Sequence, residues 1–330
     1  MPSVWIDTDM GFDDLAAVLT VAASPDWRIE GLSLVAGNAP LPVVEDNALK
    51  ASSFFGGTFP IHAGAAGPLA GELVTAQSVL GPDAMRSAGR SLPPAQGVSL
   101  ASREAVAALR EHLLAQPLPA TLLALGPLTN LALVLRHEPA LAARIGTLIW
   151  MGGSAGPGNH TAAAEFNAAV DPESVQAVLD AGVTLHMVGL DACRQVKVTA
   201  SDSRAMRVKA AVDGSAGLAA ALDGRFESAG ETARLALLAD LLEGYVRIAD
   251  PLGTVPMALY DPVAAVALIE PRAVRFVQAH LVMELQGRHT RGMTVIEWRV
   301  PRRAPANAWI ATTVDEAAVR ARVLGALVGT

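Results

Sequence analysis

Cysteine occurs once in 330 residues, at Cys193. That excludes an intrachain disulfide scaffold and a zinc site built on several thiolates. Aromatic residues make up 4% of the chain, with two tyrosines among them, so a large core has to come from Ala, Leu and Val. Basic residues are outnumbered, 25 Lys and Arg against 32 Asp and Glu, for a net charge of −7. This leaves no electrostatic footprint for nucleic acid and no basic block for a membrane surface. Long hydrophobic runs are missing too. The most apolar stretch, 120–135, is broken by Gly126-Pro127 and Thr129-Asn130 and is too short to span a bilayer. No charged segment followed by an apolar one opens the sequence, so no secretory signal is expected and the expected location is cytoplasmic. Internal repeats and low-complexity tracts are also absent.

Hydrophobic residues nevertheless account for 52% of the chain, and they fall into alternating patterns. Strand-like runs at 3–8, 29–36, 59–63, 119–125, 145–151 and 183–190 are separated by helix-like runs at 13–23, 42–55, 100–115, 127–136 and 172–181. The stretch 201–250 is Ala-rich and helical in pattern, and 314–327 reads as a terminal helix. Such alternation predicts an α/β fold, a mostly parallel sheet covered by helices on both faces. Ligands in such folds bind beyond the carboxyl ends of the strands. The polar residues that interrupt the apolar pattern all follow strand-like runs, along the whole length, which predicts a single domain over 1–330.

The densest of these interruptions is Asp7-Thr8-Asp9-Met10-Gly11-Phe12-Asp13-Asp14, four carboxylates within eight residues, with no basic side chain before Arg28. Capping of a helix N-terminus accounts for one or two such acids. Four repel one another unless water or a cation screens them, and oxygen donors suit a hard divalent cation. Further on, Val35-Ala36-Gly37-Asn38 ends a buried-looking strand in a glycine turn. Leu125-Gly126-Pro127-Leu128-Thr129-Asn130 reads as strand, sharp turn and helix start. Met151-Gly152-Gly153 leads into Gly158-Asn159-His160-Thr161, Ala164-Glu165-Phe166-Asn167 and Asp171-Pro172. Asn159, Glu165 and Asn167 form a mixed donor and acceptor set suited to sugar hydroxyls. Leu259-Tyr260-Asp261-Pro262 follows the helical middle.

Asp-x-Asp-x-Gly-x-Asp-Asp after an N-terminal strand, Gly-Pro-Leu-Thr-Asn, Gly-Asn-x-Thr with Ala-Glu-Phe-Asn, and Asp-Pro together resemble the inosine-uridine nucleoside hydrolases, over about residues 4–312. Phosphatases of the haloacid dehalogenase type also open on a strand ending in Asp-x-Asp, but have no use for 158–172. The resemblance implies hydrolysis of the N-glycosidic bond of ribonucleosides to ribose and free base by a calcium-bound water. On that pattern Asp9, Asp14, Asp261 and the backbone carbonyl of Thr129 hold Ca2+, and Asp9 also takes the water's proton. Asn38 lies near the attacking water. Asp13, Asn38, Met151, Asn159, Glu165, Asn167 and Asp261 bind the nucleoside. A homodimer or homotetramer is implied as well, with a nucleoside as the small-molecule partner.

Three positions depart from the family. Met10 stands where proline is usual. Val74-Thr75-Ala76-Gln77-Ser78 replaces a His-Gly pair that assists at the base, so 65–100 shows no clear site. Tyr260 replaces the histidine of a His-Asp-Pro signature. A phenol is a weaker proton donor near neutrality than an imidazole, so leaving-base activation is expected to be non-standard. Tyr260, Tyr245 and Arg247 are the candidates for it. His160, at a variable position of its motif, and His62 read as structural or loop histidines, and Cys193 as a packed small residue. The alternative expectation is a ribose- or nucleoside-binding protein of the same fold with weak or no catalysis.

Overall fold

The computed structural model describes residues 1–117, 119–222, 229–300 and 304–329. Its architecture follows from the two-residue period of its strands. In the first, Val4 and Ile6 enter one apolar layer and Trp5 the opposite one. Further along, Leu123 and Ile149 join the first layer while Leu122, Leu148 and Trp150 join the second. Strands that are apolar on both faces require helical cover on both.

The elements are β1 (Ser3–Thr8), α1 (Phe12–Ala22), β2 (Arg28–Leu34), α2 (Leu41–Phe55), β3 (Ile61–Ala63), α3 (Gln77–Leu80), α4 (Ala105–Ala115), β4 (Ala120–Ala124), α5 (Thr129–His137), β5 (Ile145–Met151), α6 (Phe166–Val170) and α7 (Pro172–Asp180). They continue with β6 (Leu185–Val188), α8 (Leu190–Cys193), β7 (Lys197–Val198), α9 (Ala200–Leu222), α10 (Ala229–Ala249), β8 (Met257–Ala258), α11 (Asp261–Ile269), β9 (Val274–Met283), β10 (Thr294–Glu297), β11 (Ala308–Val314) and α12 (Glu316–Val328). Helices α1, α11 and α12 pack together on one face of the sheet, and α4, α5 and α7 on the other.

Among the described residues the main sheet has nine strands in the order β10-β9-β11-β6-β5-β4-β1-β2-β3. From β3 to β11 all pairings are parallel; β9 runs antiparallel to both β11 and β10. The chain winds outward in both directions from the β1–β4 pair, where Asp7 lies opposite Ala124. A crevice opens at such a switch point, beyond the carboxyl ends of the strands.

The expected parallel core is present, with boundaries moved by a few residues. The helix expected from 100 starts at Ala105, and the one expected from 127 starts at Thr129. The helical middle resolves into α9 and α10, and residues 223–228 of that expectation lie outside the described residues. Strands β9, β10 and β11 extend the sheet beyond the last strand expected from the pattern. In β9 the partly exposed positions carry Arg275, Gln278 and His280, and that polarity hides a strand lying towards the sheet's edge.

Candidate active site

The site begins where β1 ends. Met10 adopts φ +35°, a region that L residues avoid because Cβ crowds the following carbonyl. The turn is held by side chains: the Met10 N–H donates to Thr8 Oγ1 (3.1 Å), and Thr8 Oγ1 donates to Asp14 Oδ1 (2.5 Å). The Gly11 N–H donates to Asp14 Oδ2 (2.8 Å). Asp14 therefore closes the first turn of α1 while still facing the crevice. Asp261 arrives from elsewhere, in the first turn of α11 just after Tyr260. Carboxylate oxygens of Asp13, Asp14 and Asp261 lie within 4.8 Å of one another.

Asp9 stands behind this trio. Its carboxylate accepts from Asn38 N (2.6 Å) and Asn38 Nδ2 (3.1 Å), and the same Nδ2 reaches Asp14 Oδ2 at 3.2 Å. The approach requires Gly37, because a Cβ there would fall 2.2 Å from Asp9 Oδ2. Asn38 thus bridges two acids that would otherwise only repel. Asp7 does not join them. It faces the opposite layer, where Ser33 Oγ and Asn130 Nδ2 (2.8 Å) donate to Oδ1, and its Oδ2 has no partner.

Electrostatics follow from this crowding. Burial first, and then repulsion from Asp14, hold Asp9 and Asp261 well above the usual carboxylate range. The same two causes raise Asp13 to about 7, and burial raises Asp14. Asp7 and Glu165, desolvated by burial, are also pushed up to about 7. No Lys or Arg is among the described residues lining the cavity next to the trio. Acids packed without a counter-charge must either keep protons or hold a cation. Oxygen donors alone fit a hard divalent cation such as calcium or magnesium.

The trio opens into a cavity of about 380 Å³. Asp13, Asn38, Met151, Asn159, Glu165 and Asn167 all line it, as do Tyr260 and Asp261. Glu165 caps α6 and accepts from the N–H groups of Gly153, Asn167 and Ala168 at 2.8–3.0 Å. Asn167 Nδ2 donates to the carbonyls of Leu125 (2.8 Å) and Met151 (3.0 Å). Asn159 Oδ1 accepts from Phe166 N at 2.9 Å. Amide dipoles are therefore fixed in place before any ligand arrives.

Several expectations need correcting. The acids of 7–14 do not converge as four, since Asp7 belongs to the scaffold. Asp13, expected to touch substrate alone, shares the cluster of Asp14 and Asp261, whereas Asp9 falls outside that trio. Thr129 does not line the cavity; its hydroxyl donates to Asp171 Oδ2 at 2.6 Å. The residue of that motif that does line the cavity is Leu125. Arg247 is exposed and paired with Glu243 on the surface of α10. Tyr245 lines the cavity but donates its hydroxyl to Ala258 O at 2.8 Å.

Two features escaped the motif reading. Residues 74–80 form a largely apolar wall through Val74, Val79 and Leu80, and His160 sits at the rim. Apolar wall residues carry no chemical signature, and a histidine at a variable position gives none until its loop is folded. His62 and Cys193 are structural, as expected. His62 stacks on Trp5 with ring centres 5.5 Å apart, and Cys193 is buried against the carbonyls of Val188 and Tyr260. Asp191 anchors the Ser154–Ala155 turn below the loop.

A doubly wound sheet with an acidic, oxygen-only cluster beside an amide-lined cavity defines an enzyme for a small hydroxylated substrate. The comparisons narrow this. The model of the inosine-uridine preferring nucleoside hydrolase family matches residues 4–321. The non-specific ribonucleoside hydrolase RihC of Salmonella typhimurium is 33% identical over 310 residues, 94% of this chain and 92% of that protein. An inosine-guanosine nucleoside hydrolase structure superposes with a TM-score of 0.83 at 26% identity, covering 100% of this chain and 99% of the other. The plant nucleoside hydrolase PpNRh1 gives a TM-score of 0.82 at 27% identity, with the same coverage. The chain belongs to the inosine-uridine preferring nucleoside hydrolase family, and it is a hydrolase of N-glycosyl compounds.

Proposed function

We propose that the chain hydrolyses the N-glycosidic bond of ribonucleosides to ribose and free base, with Asp13, Asp14 and Asp261 holding a calcium ion. The observation that carries this reading is the trio of buried Asp14 and Asp261 with half-buried Asp13, without a basic partner among the described lining residues, opening directly onto the amides and carboxylates of the cavity. Calcium, the ion the family resemblance implies, would supply the positive charge that acidifies and orients a water. Asp9, beside Asp14 and held by Asn38, would take the water's proton, kept ionised for that task by the nearby cation's charge. Asn38 places that water, since its amide already spans Asp9 and Asp14.

The sugar sits on the acidic floor. Among the described residues Asn159 Nδ2 and Asn167 Oδ1 have no partner within the chain, which leaves one donor and one acceptor for ribose hydroxyls. Met151 closes the floor beneath the ring, and Glu165 accepts a hydroxyl while locking the α6 turn. Carboxylates around the ring stabilise the oxocarbenium-like charge as the bond to the base lengthens. The base then projects onto the apolar wall of Val79, Ile248 and Met257. Contacts of that kind rank bases weakly, so several bases are cleaved.

Reducing-sugar release from purine and pyrimidine ribonucleosides, with and without a chelator, tests the reading. Release abolished by the chelator and restored by calcium supports it. Tight nucleoside binding with no release from any member of the panel would instead mark a binding protein of the same fold.

A further inference from the structure

Cleavage of a ribonucleoside leaves a basic nitrogen heterocycle that departs slowly unless it gains a proton. The groups expected to give it that proton are poorly suited here. Tyr260 offers a phenol, a weaker proton donor near neutrality than an imidazole. Tyr245 is buried and donates its hydroxyl to Ala258 O at 2.8 Å. Arg247 points away. Among the described residues lining the cavity, His160 is the one imidazole, the side-chain type that exchanges protons nearest neutrality.

Its setting is built. Asn159, His160 and Thr161 each donate a backbone N–H to Ala164 O at 3.1–3.2 Å, and Thr161 Oγ1 accepts from Ala163 N and Ala164 N. The Arg194 guanidinium ties the loop base by donating to Pro157 O (2.8 Å) and Gly158 O (3.0 Å). The turn closes tightly enough that a Cβ at Gly158 would lie 2.2 Å from Ala164 O. The His160 ring meets Phe166 edge to face with centres 5.6 Å apart. Its nitrogens have no hydrogen-bond partner among the described residues. Asn159, proposed above to hold ribose, is its chain neighbour, so one loop sets an amide and the imidazole against the same cavity.

Resting on the reading that this cavity hydrolyses ribonucleosides, we propose that His160 is the proton donor to the departing base, taking over the task of the absent family histidines. The water oxygen bonds to the anomeric carbon as the glycosidic C–N bond breaks and its electron pair passes to the base. The imidazolium proton moves to a base nitrogen or carbonyl oxygen, while Asp9 receives a proton from the water. Solvent returns a proton from Asp9 to His160, so one water is consumed for each ribose and base released.

Inosine, uridine and p-nitrophenyl β-D-ribofuranoside, whose phenolate leaves without protonation, separate the possibilities. His160→Gln and His160→Ala should lower kcat on both nucleosides by about 100-fold or more, with KM within about threefold and kcat on the nitrophenyl riboside within about threefold. Nucleoside kcat within about threefold of wild type would overturn the proposal. So would an equal loss on all three substrates, which would place His160 in sugar binding. A wild-type protein that cleaves the nitrophenyl riboside but no nucleoside overturns His160 as acid and leaves glycosidic hydrolysis standing. Cleavage of none of the three removes the ribonucleoside reading itself, and this role with it.

Discussion

Removing the divalent cation should reverse the pH dependence contributed by the acidic cluster. Asp9, Asp13, Asp14 and Asp261 are all raised by burial, and Asp9, Asp13 and Asp261 further by repulsion from Asp14. A cation that binds their ionised forms must displace the protons they hold. Asp13, at about 7, keeps its proton through the mildly acidic range. The calcium Kd should therefore tighten at least about tenfold per pH unit between roughly pH 5 and 7. The metal-free protein behaves oppositely. A carboxyl whose folded pKa exceeds its unfolded value stabilises fully below the unfolded pKa, and that contribution is lost as pH rises through the folded one. For Asp13 the window runs from 3.8 to about 7. Its half-buried position and solvent screening bring the loss to the order of 1–2 kcal/mol. Titration calorimetry at about pH 5.5, 6.5 and 7.5, with thermal melts in EDTA and in calcium, reads both slopes. A calcium Kd that does not change with pH would refute the reasoning, because the acids would then be ionised without the ion.

Asp261→Asn removes one charge from the trio; it should weaken calcium binding by about 100-fold and raise the metal-free Tm by a few degrees, and an unchanged calcium titration would count against a role for Asp261 as ligand. Tyr260→Phe should leave kcat on inosine and uridine within about threefold, since a phenol raised to about 12 transfers no full proton; a loss of about 100-fold would restore the hydroxyl as donor. Met10→Pro, although it installs the residue usual in the family, should cost about 2–4 kcal/mol in urea unfolding. The φ of +35° is closed to proline, and the bond from Met10 N–H to Thr8 would be lost. Equal midpoints for the variant and wild type would show that the turn re-forms around proline.

Much of the molecule was legible before folding. The β1–β6 core announced itself because buried parallel strands are apolar on both faces and end in polar turns. Asp13, Asn38, Asn159, Glu165, Asn167 and Asp261 stand out in the sequence because their motifs are long, and all of them line the cavity. What sequence spacing could not supply was direction. Asp7 and Asp9 are two residues apart, on the same side of a straight strand, yet Asp9 lies past the end of β1 and turns to Asn38 while Asp7 stays beneath Ser33. The Gly-Pro-Leu-Thr-Asn turn meets the cavity through the strand-end residue Leu125, while the Thr129 hydroxyl turns to Asp171, a difference of direction that the motif does not encode. The wall at 74–80 consists of residues that any core could use, and β9 hid behind its polar positions.

The two halves of the cavity are built on different foundations. The acids and Asn38 stand at strand ends and helix starts inside the sheet's switch point, where a shift of one residue would disturb neighbouring strands. The surfaces proposed to meet the base come from 74–80, the loop around 160, and the segment from Tyr245 to Met257, all added from outside the sheet. Chemistry and selectivity are thus separable in inheritance and in engineering. A library confined to Val74, Val79, Ile248 and Met257 can redraw which glycosides are accepted without touching the residues proposed to break the bond.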